Sequence, residues 1–178
     1  MSKPTRVLYL DLDGTVRKGL DELGRFVNGP DDVEIFPEVP EILRAFKKGG
    51  WRICGISNQG GIALGHTTLE KVCEALIKTN NLLDMAFEII AICKHHPDAA
   101  DPEMAVCWCR KPRIGLIVES TLIMAAQFNE YYPPHLALFV GDREEDMGCA
   151  LNANISFIWA KEWRALKGKD LQDLIEKA

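Results

Sequence analysis

Two short polar runs, DLDGT at residues 11–15 and GDREEDM at 141–147, place several carboxylates at points where the chain can turn. Asp11 and Asp13 flank a single residue, and Gly14 permits a turn sharp enough for both carboxylates to face one ligand. Asp142 and Asp146 stand about one helical turn apart and share a side if a helix begins there. Carboxylates gathered in one pocket repel one another unless a hard cation binds them, and oxygen ligands of this kind suit Mg²⁺. Lys111 in CRKP and Ser57 in SNQGG add a cation and a hydroxyl. A metal, a lysine and hydrogen-bond donors are together what a phosphoryl group in transfer requires.

Residues 93–109, CKHHPDAADPEMAVCWC, concentrate a second chemistry: three of the six cysteines and two of the four histidines. Three thiolates and one imidazole complete a tetrahedral zinc site. The pairs Cys93-x-His95 and Cys107-x-Cys109 would close a loop that carries no strand or helix pattern of its own, with His96 as the alternative imidazole. Four protein ligands leave no open position, so the zinc is expected to be structural and to stabilise a loop with no core beneath it. The loop runs directly into Arg110 and Lys111, so the metal is expected to fix both side chains over the substrate. Cys54, Cys73 and Cys149 each stand alone in apolar stretches and are expected to be buried packing.

These clusters need a scaffold, and the chain alternates short apolar runs with amphipathic stretches, the pattern of a parallel sheet covered by helices. Strands are expected at 6–10, 51–56, 87–92, 136–140 and 155–159, with helices at 38–48, 67–80, 114–130, 143–153 and 170–177. Gly49 and Gly50 stop the first of these helices. In open α/β sheets ligands bind beyond the carboxyl ends of the strands. After the first four strands come DLDGT, SNQGG, the Cys/His loop with RKP, and GDREEDM, so four polar clusters converge on one edge. The stretch 14–37, rich in Gly, Pro and Asp, is longer than a minimal turn and is a candidate active-site loop.

DLDGT, Ser57 in ISNQGG, Lys111 in CRKP, and GDREEDM, in that order over nearly the whole chain, resemble the four motifs of haloacid-dehalogenase-type (HAD) phosphatases. The resemblance implies a Mg²⁺-dependent phosphomonoester hydrolase in which Asp11 attacks phosphorus to form an aspartyl-phosphate. It makes Asp13 the general acid, which protonates the leaving oxygen and then activates the hydrolytic water. To donate near neutral pH Asp13 must hold its proton more tightly than usual, and crowding by carboxylates works in that direction. Asp11, Asp13 through its backbone carbonyl, and Asp142 would hold Mg²⁺, with Asp146 beside them positioning Lys111 or a water. Ser57 and Lys111 would bind the phosphoryl oxygens, with Asn58 as a substrate contact.

The Cys-x-His and Cys-x-Cys pattern before RKP is similar to the heptose-bisphosphate and histidinol-phosphate phosphatase branch, as are SNQGGIALG and GDREEDMGCALNANI. This resemblance selects His95 over His96 as the zinc ligand. It also implies that Arg110 and Arg143 recognise substrate, and that Gly24 and Arg25 belong to a loop closing over the sugar. Leu12 stands where that branch commonly has arginine, Ser57 replaces threonine, the loop 14–37 is longer, and RKPRIGL lacks a proline-glycine continuation. These departures leave the chemistry in place and bear on the substrate.

The 178 residues, 47% hydrophobic, fit one domain, 1–178, with the zinc loop at 93–109 and no separate cap domain between Ser57 and Lys111. The opening MSKPTR leads straight into apolar residues 7–10, which Asp11 interrupts, so neither a signal peptide nor a membrane span is expected, and a cytoplasmic protein is. A net charge of -5 gives no general attraction to nucleic acid. Arg17, Lys18, Arg25, Arg110, Lys111, Arg113 and Arg143 are the cations placed to reach the site, which favours a small sugar bisphosphate over the end of a polynucleotide. Histidinol phosphate and a polynucleotide 3'-phosphate are the alternative substrates. A zinc-stabilised binding module without catalysis would be favoured by loss of a catalytic carboxylate, and none is lost.

Overall fold

The computed structural model describes residues 3–20, 26–27 and 29–177. Five strands, β1 (Val7–Leu10), β2 (Arg52–Asn58), β3 (Ile89–Cys93), β4 (Ala137–Gly141) and β5 (Ser156–Trp159), form one parallel sheet in the order β3-β2-β1-β4-β5. β1 and β4 are buried along their whole length, as expected of strands covered on both faces. The helices are α1 (Val39–Lys48), α2 (Leu69–Leu82), α3 (Pro102–Ala105), α4 (Gly115–Phe128), α5 (Glu144–Asn152), α6 (Ala160–Ala165) and α7 (Gly168–Lys177).

The alternation of β1 divides the core. Leu8 and Leu10 point into one cluster with Val39, Leu43 and Phe46 of α1, Val72 of α2, Trp163 of α6 and Ile175 of α7. Val7 and Tyr9 point into the other, with Leu116, Ile117 and Met124 of α4 and Cys149 and Ala150 of α5. Local signals set the helix ends: Pro40 in the first turn of α1 with Gly49 as its C-cap, and Thr68 capping α2 by accepting from Lys71 N at 3.3 Å.

All ten expected elements are present, with no end shifted by more than two residues. β2 runs two residues further than its apolar pattern because Ser57 and Asn58 pair with Ile92 and Cys93 of β3. Two helices were not expected. α3 falls inside the Cys/His loop, where Asp101 accepts from Glu103 N at 2.9 Å and Pro102 opens the helix; the expectation of a loop without regular structure is corrected there. α6 follows β5 directly and is held by buried Ala160 and Trp163. The loop 14–37 contains an antiparallel pair, Arg17–Lys18 with Glu34–Ile35, and a 3₁₀ turn at Pro30–Asp32. Cys54 and Cys149 are buried, but Cys73 is exposed, since α2 turns Val72, Ala75, Leu76 and Thr79 inward and Cys73 outward. Among the described residues, no helix is long and apolar enough to cross a membrane.

Candidate active site

Asp11 leaves the end of β1 with its N–H on Val140 O, 2.9 Å away on β4, and its carboxylate is buried. Lys111 Nζ reaches it across the sheet, donating to Asp11 Oδ1 at 2.6 Å and to Ile56 O at 2.8 Å, and pairs with Asp146 Oδ1 at 2.6 Å. Asp11 Oδ2 is buried with no hydrogen-bond partner among the described residues. Burial pushes the Asp11 pKa up to about 7, with Asp146 and Asp13 adding to the rise and Lys111 opposing it. Burial alone would lower Lys111, but Asp11 and Asp146 outweigh it and hold the ammonium above its ordinary range.

Asp142 follows β4 and packs its carboxylate onto Gly14, whose φ is +95°; a Cβ there would lie 2.2 Å from Asp142 Oδ2. DLDGT therefore needs its glycine for the approach of a third carboxylate as well as for the turn. Partial burial, with Asp146 nearby, raises the Asp142 pKa although its side chain reaches solvent. Asp146 folds back on the first turn of α5, where its Oδ2 accepts from the N–H groups of Asp142 and Arg143 at 3.1 Å each. Asp11, Asp142 and Asp146 offer oxygens within 4.8 Å of one another. One ammonium among these carboxylates leaves unbalanced negative charge, and one Asp11 oxygen has no partner among the described residues. The donor set fits a hard divalent cation.

Asp13 is held on both sides. Arg17 Nε donates to its Oδ1 at 2.8 Å, and Gln59 Nε2 donates to its Oδ2 at 2.8 Å and to Ser57 Oγ at 2.8 Å. A cation and an amide are the direct partners of Asp13, and its carboxylate adds to the rise on Asp11. Asn58 clamps the main chain of Lys111: its Oδ1 accepts from Lys111 N at 3.0 Å and its Nδ2 donates to Lys111 O at 3.2 Å.

A small cavity lined by Asp11, Asp13, Ser57, Asn58 and Lys111 opens beside a larger one of about 340 Å³. The larger is walled by Gln59, Gly60, Leu64, His66, His96 and Arg110, and Asp13, Asn58, Arg143 and Phe26 line both. Arg143 lies 5.2 Å over the Phe26 ring. Of the other cations expected to reach the site, Arg17 is fully buried on Asp13, Lys18 pairs with Glu34 at 3.1 Å, and Arg113 donates to Cys107 O. Gly24 and Arg25 lie outside the described residues.

The Cys/His cluster forms at the end of β3. Cys93 Sγ lies 3.6 Å from Cys107 Sγ, 3.0 Å from Cys109 Sγ and 3.6 Å from His95 Nδ1, and Cys109 Sγ lies 3.4 Å from His95 Nδ1. Tetrahedral zinc places ligand sulfurs about 3.8 Å apart and a sulfur and nitrogen about 3.5 Å apart. The 3.4–3.6 Å separations suit that ion and the 3.0 Å between Cys93 and Cys109 is shorter than it asks; the donor types fit zinc, and His96 stands apart from them, on the cavity wall. Burial pushes the thiols of Cys93 and Cys109 up; it also opposes ionisation of Cys107, where hydrogen bonds from the Arg110 N–H and from Cys109 and Cys93 together outweigh it and lower the thiol. Arg110 is tied to the cluster twice, by its N–H to Cys107 Sγ at 3.4 Å and by its guanidinium to His95 O at 3.1 Å.

Sequence reasoning missed the part that two residues play. Gln59 stands in the SNQGG run, but nothing there marks it as a partner of Asp13. Arg17 was expected at the open site, and its four-residue spacing from Asp13 carries no helical meaning after a turn.

Fold, motif order and site define a HAD-type phosphatase. The chain belongs to the polynucleotide kinase 3 phosphatase family, whose model matches residues 6–170. The D-glycero-beta-D-manno-heptose-1,7-bisphosphate 7-phosphatase of Escherichia coli K12 is 31% identical over 87% of this chain and 78% of that protein. Among solved structures, a HAD-like protein of Mesorhizobium loti superposes with a TM-score of 0.76 at 20% identity, covering 99% of this chain and 87% of that one. The D,D-heptose 1,7-bisphosphate phosphatase of B. bronchiseptica, complexed with magnesium and phosphate, superposes with a TM-score of 0.71 at 22% identity over 97% of each chain. These two share the fold.

Proposed function

We propose that this phosphatase hydrolyses one phosphate ester of a small sugar bisphosphate, D-glycero-D-manno-heptose 1,7-bisphosphate being the first choice. The observation that carries this reading is the cavity beyond Asp13, which has room for a sugar and has Arg110, Arg143, His66 and His96 in its wall to receive a second phosphate. The name of the E. coli relative supports it.

Asp11 Oδ2, buried and without a partner among the described residues, is the oxygen free to attack phosphorus while Lys111 holds Oδ1. Lys111 and Ser57, both in the small cavity, bind the phosphoryl oxygens. Asp13 gives its proton to the leaving oxygen as the ester bond breaks, and takes one from the water that then frees Asp11 and releases phosphate. Mg²⁺, when bound, would be held by Asp11, Asp142 and the carbonyl of Asp13, and supplies positive charge to the transferring group. Asp146 acts through Lys111, since both its oxygens are engaged by that ammonium and by two backbone N–H groups. Cys93, His95, Cys107 and Cys109 would hold a structural Zn²⁺, and the cluster's hydrogen bonds to Arg110 would then be fixed with it.

The test is phosphate release with Mg²⁺ from the heptose bisphosphate, histidinol phosphate, a nucleoside monophosphate and a 3'-phosphorylated oligonucleotide. A kcat/KM at least a hundredfold higher for the bisphosphate is expected. The family match favours a second reading, a polynucleotide 3'-phosphatase; a preference for the oligonucleotide would establish it and overturn the first.

A further inference from the structure

Arg17 is fully buried, which is rare for a guanidinium unless every contact is built for it. Its Nε donates to Asp13 Oδ1 at 2.8 Å, and its Nη1 donates to Thr79 Oγ1 at 2.7 Å and Ala75 O at 3.1 Å on α2. Thr79 is itself buried and donates to Ala75 O at 2.7 Å, which turns its lone pairs toward the arginine. The guanidinium thus bridges one carboxylate oxygen at the site to the interior of a helix.

We propose that Arg17 is a positioning residue for the general acid: it fixes the Asp13 carboxylate in one orientation and leaves the transferable proton to Oδ2. Arginine cannot accept a proton in a protein, so Oδ1 is permanently an acceptor for its N–H. Oδ2 receives only the neutral amide of Gln59 and keeps a lone pair for the proton. Asp13 lines both the small and the large cavity, so it stands where the bond between phosphorus and the leaving oxygen must break. As that bond breaks and Asp11 bonds to phosphorus, the proton on Asp13 Oδ2 passes to the leaving oxygen. The new carboxylate charge on buried Asp13 is then met at once by Arg17, which requires no rearrangement. In the second step water attacks phosphorus, its proton returns to Asp13, and the bond from Asp11 to phosphorus breaks.

The inference rests on Asp13 being the acid of the proposed reaction, and the test separates the two. It compares wild type, Arg17→Met, Arg17→Lys and Asp13→Asn on aryl phosphates whose phenols differ in acidity, reading kcat/KM with Mg²⁺. A poor leaving group needs the proton and a good one does not. For Arg17→Met the loss should therefore be about 10²-fold with phenyl phosphate but under about threefold with p-nitrophenyl phosphate. A packing role alone lowers every ester by one factor and leaves the dependence on leaving-group acidity unchanged; that result overturns the proposal. Should Arg17→Met fail to fold, Arg17→Lys decides, because lysine keeps the charge but cannot span Asp13 and α2. A steeper dependence for it supports the bridge, and an unaltered one refutes it. Steepening in Asp13→Asn without steepening in the Arg17 variants sinks the role of Arg17 alone. No steepening in Asp13→Asn means that Asp13 is not the acid and that the underlying mechanism is wrong.

Discussion

Lys111 faces more negative charge than it can neutralise, with Asp11 and Asp146 both at 2.6 Å. Asp146 is also tied to the N–H groups of Asp142 and Arg143 just before α5, so the unmet charge settles on Asp11, whose pKa burial raises to about 7. Below that value a proton occupies the place a divalent cation would take. Mg²⁺ should therefore bind more weakly as pH falls from 8 to 6, by up to about tenfold per unit below 7, and should release about one proton on binding at pH 6. Calorimetric titration in buffers of different ionisation enthalpy measures both, and no proton release at pH 6 contradicts the assignment. Linkage has a matching sign. The folded Asp11 pKa lies above its ordinary 3.8, so the stability it contributes is full below that value and lost as pH rises through about 7. Saturating Mg²⁺ should remove that loss from the melting temperature. Asp146→Asn keeps an oxygen for the two N–H groups but takes one carboxylate from Lys111. The fold should persist, kcat/KM should fall about 10- to 100-fold, and the acid limb of its pH profile should move down as the repulsion on Asp11 is relieved. At this scale Asp11, Asp13, Ser57 and Lys111 were legible as one cluster because Ser57 lies near the end of a strand and the other three beyond one, each in a recognisable run. Arg17 and Gln59 were not, since what defines them are partners brought from α2 and across the site.

The two candidate metal centres are joined through β2 and β3. Asn58 pairs in register with Cys93, Gln59 N donates to Cys93 O at 2.7 Å, and the Asn58 side chain holds the main chain of Lys111. Arg110 completes the link through Cys107 and His95. Loss of the Cys/His ion should therefore be felt in the cavity. Cys107→Ser, or chelation verified by metal analysis, should lower the melting temperature and raise KM for the bisphosphate at least tenfold. The kcat/KM for p-nitrophenyl phosphate, which has no second phosphate for Arg110 to meet, should fall less. Unchanged kinetics in verified metal-free protein would remove the structural link to catalysis. Elements were read well where periodicity ran for two turns or a full strand. α6 has six residues and α3 four, too short for a period to register, and their ends depend on Trp163 burial and on Asp101 capping.

Over the whole molecule, charge separates the two substrate readings. A protein that tracks a strand must neutralise several phosphates at once, and each releases counterions, so binding weakens steeply with salt. This chain has 21 basic residues against 26 acidic ones. Lys111 lies in the small cavity, Arg110 and Arg143 line the larger one beside it, and Arg17, Lys18 and Arg113 are already engaged by Asp13, Glu34 and Cys107. The cations at the described site thus suffice for two phosphates on one small molecule. Between 50 and 200 mM salt, affinity for a 3'-phosphorylated oligonucleotide should fall by no more than about tenfold, against the roughly 10³- to 10⁵-fold loss of a protein making six to ten phosphate contacts. Fluorescence anisotropy measures this, with Asp11→Asn used because the proposed mechanism expects it to bind without turnover. A steep slope would place a strand-binding surface beyond the described cavity wall and return the polynucleotide reading to first place. A shallow slope with weak binding leaves the bisphosphate as the ligand whose charge the cavity matches.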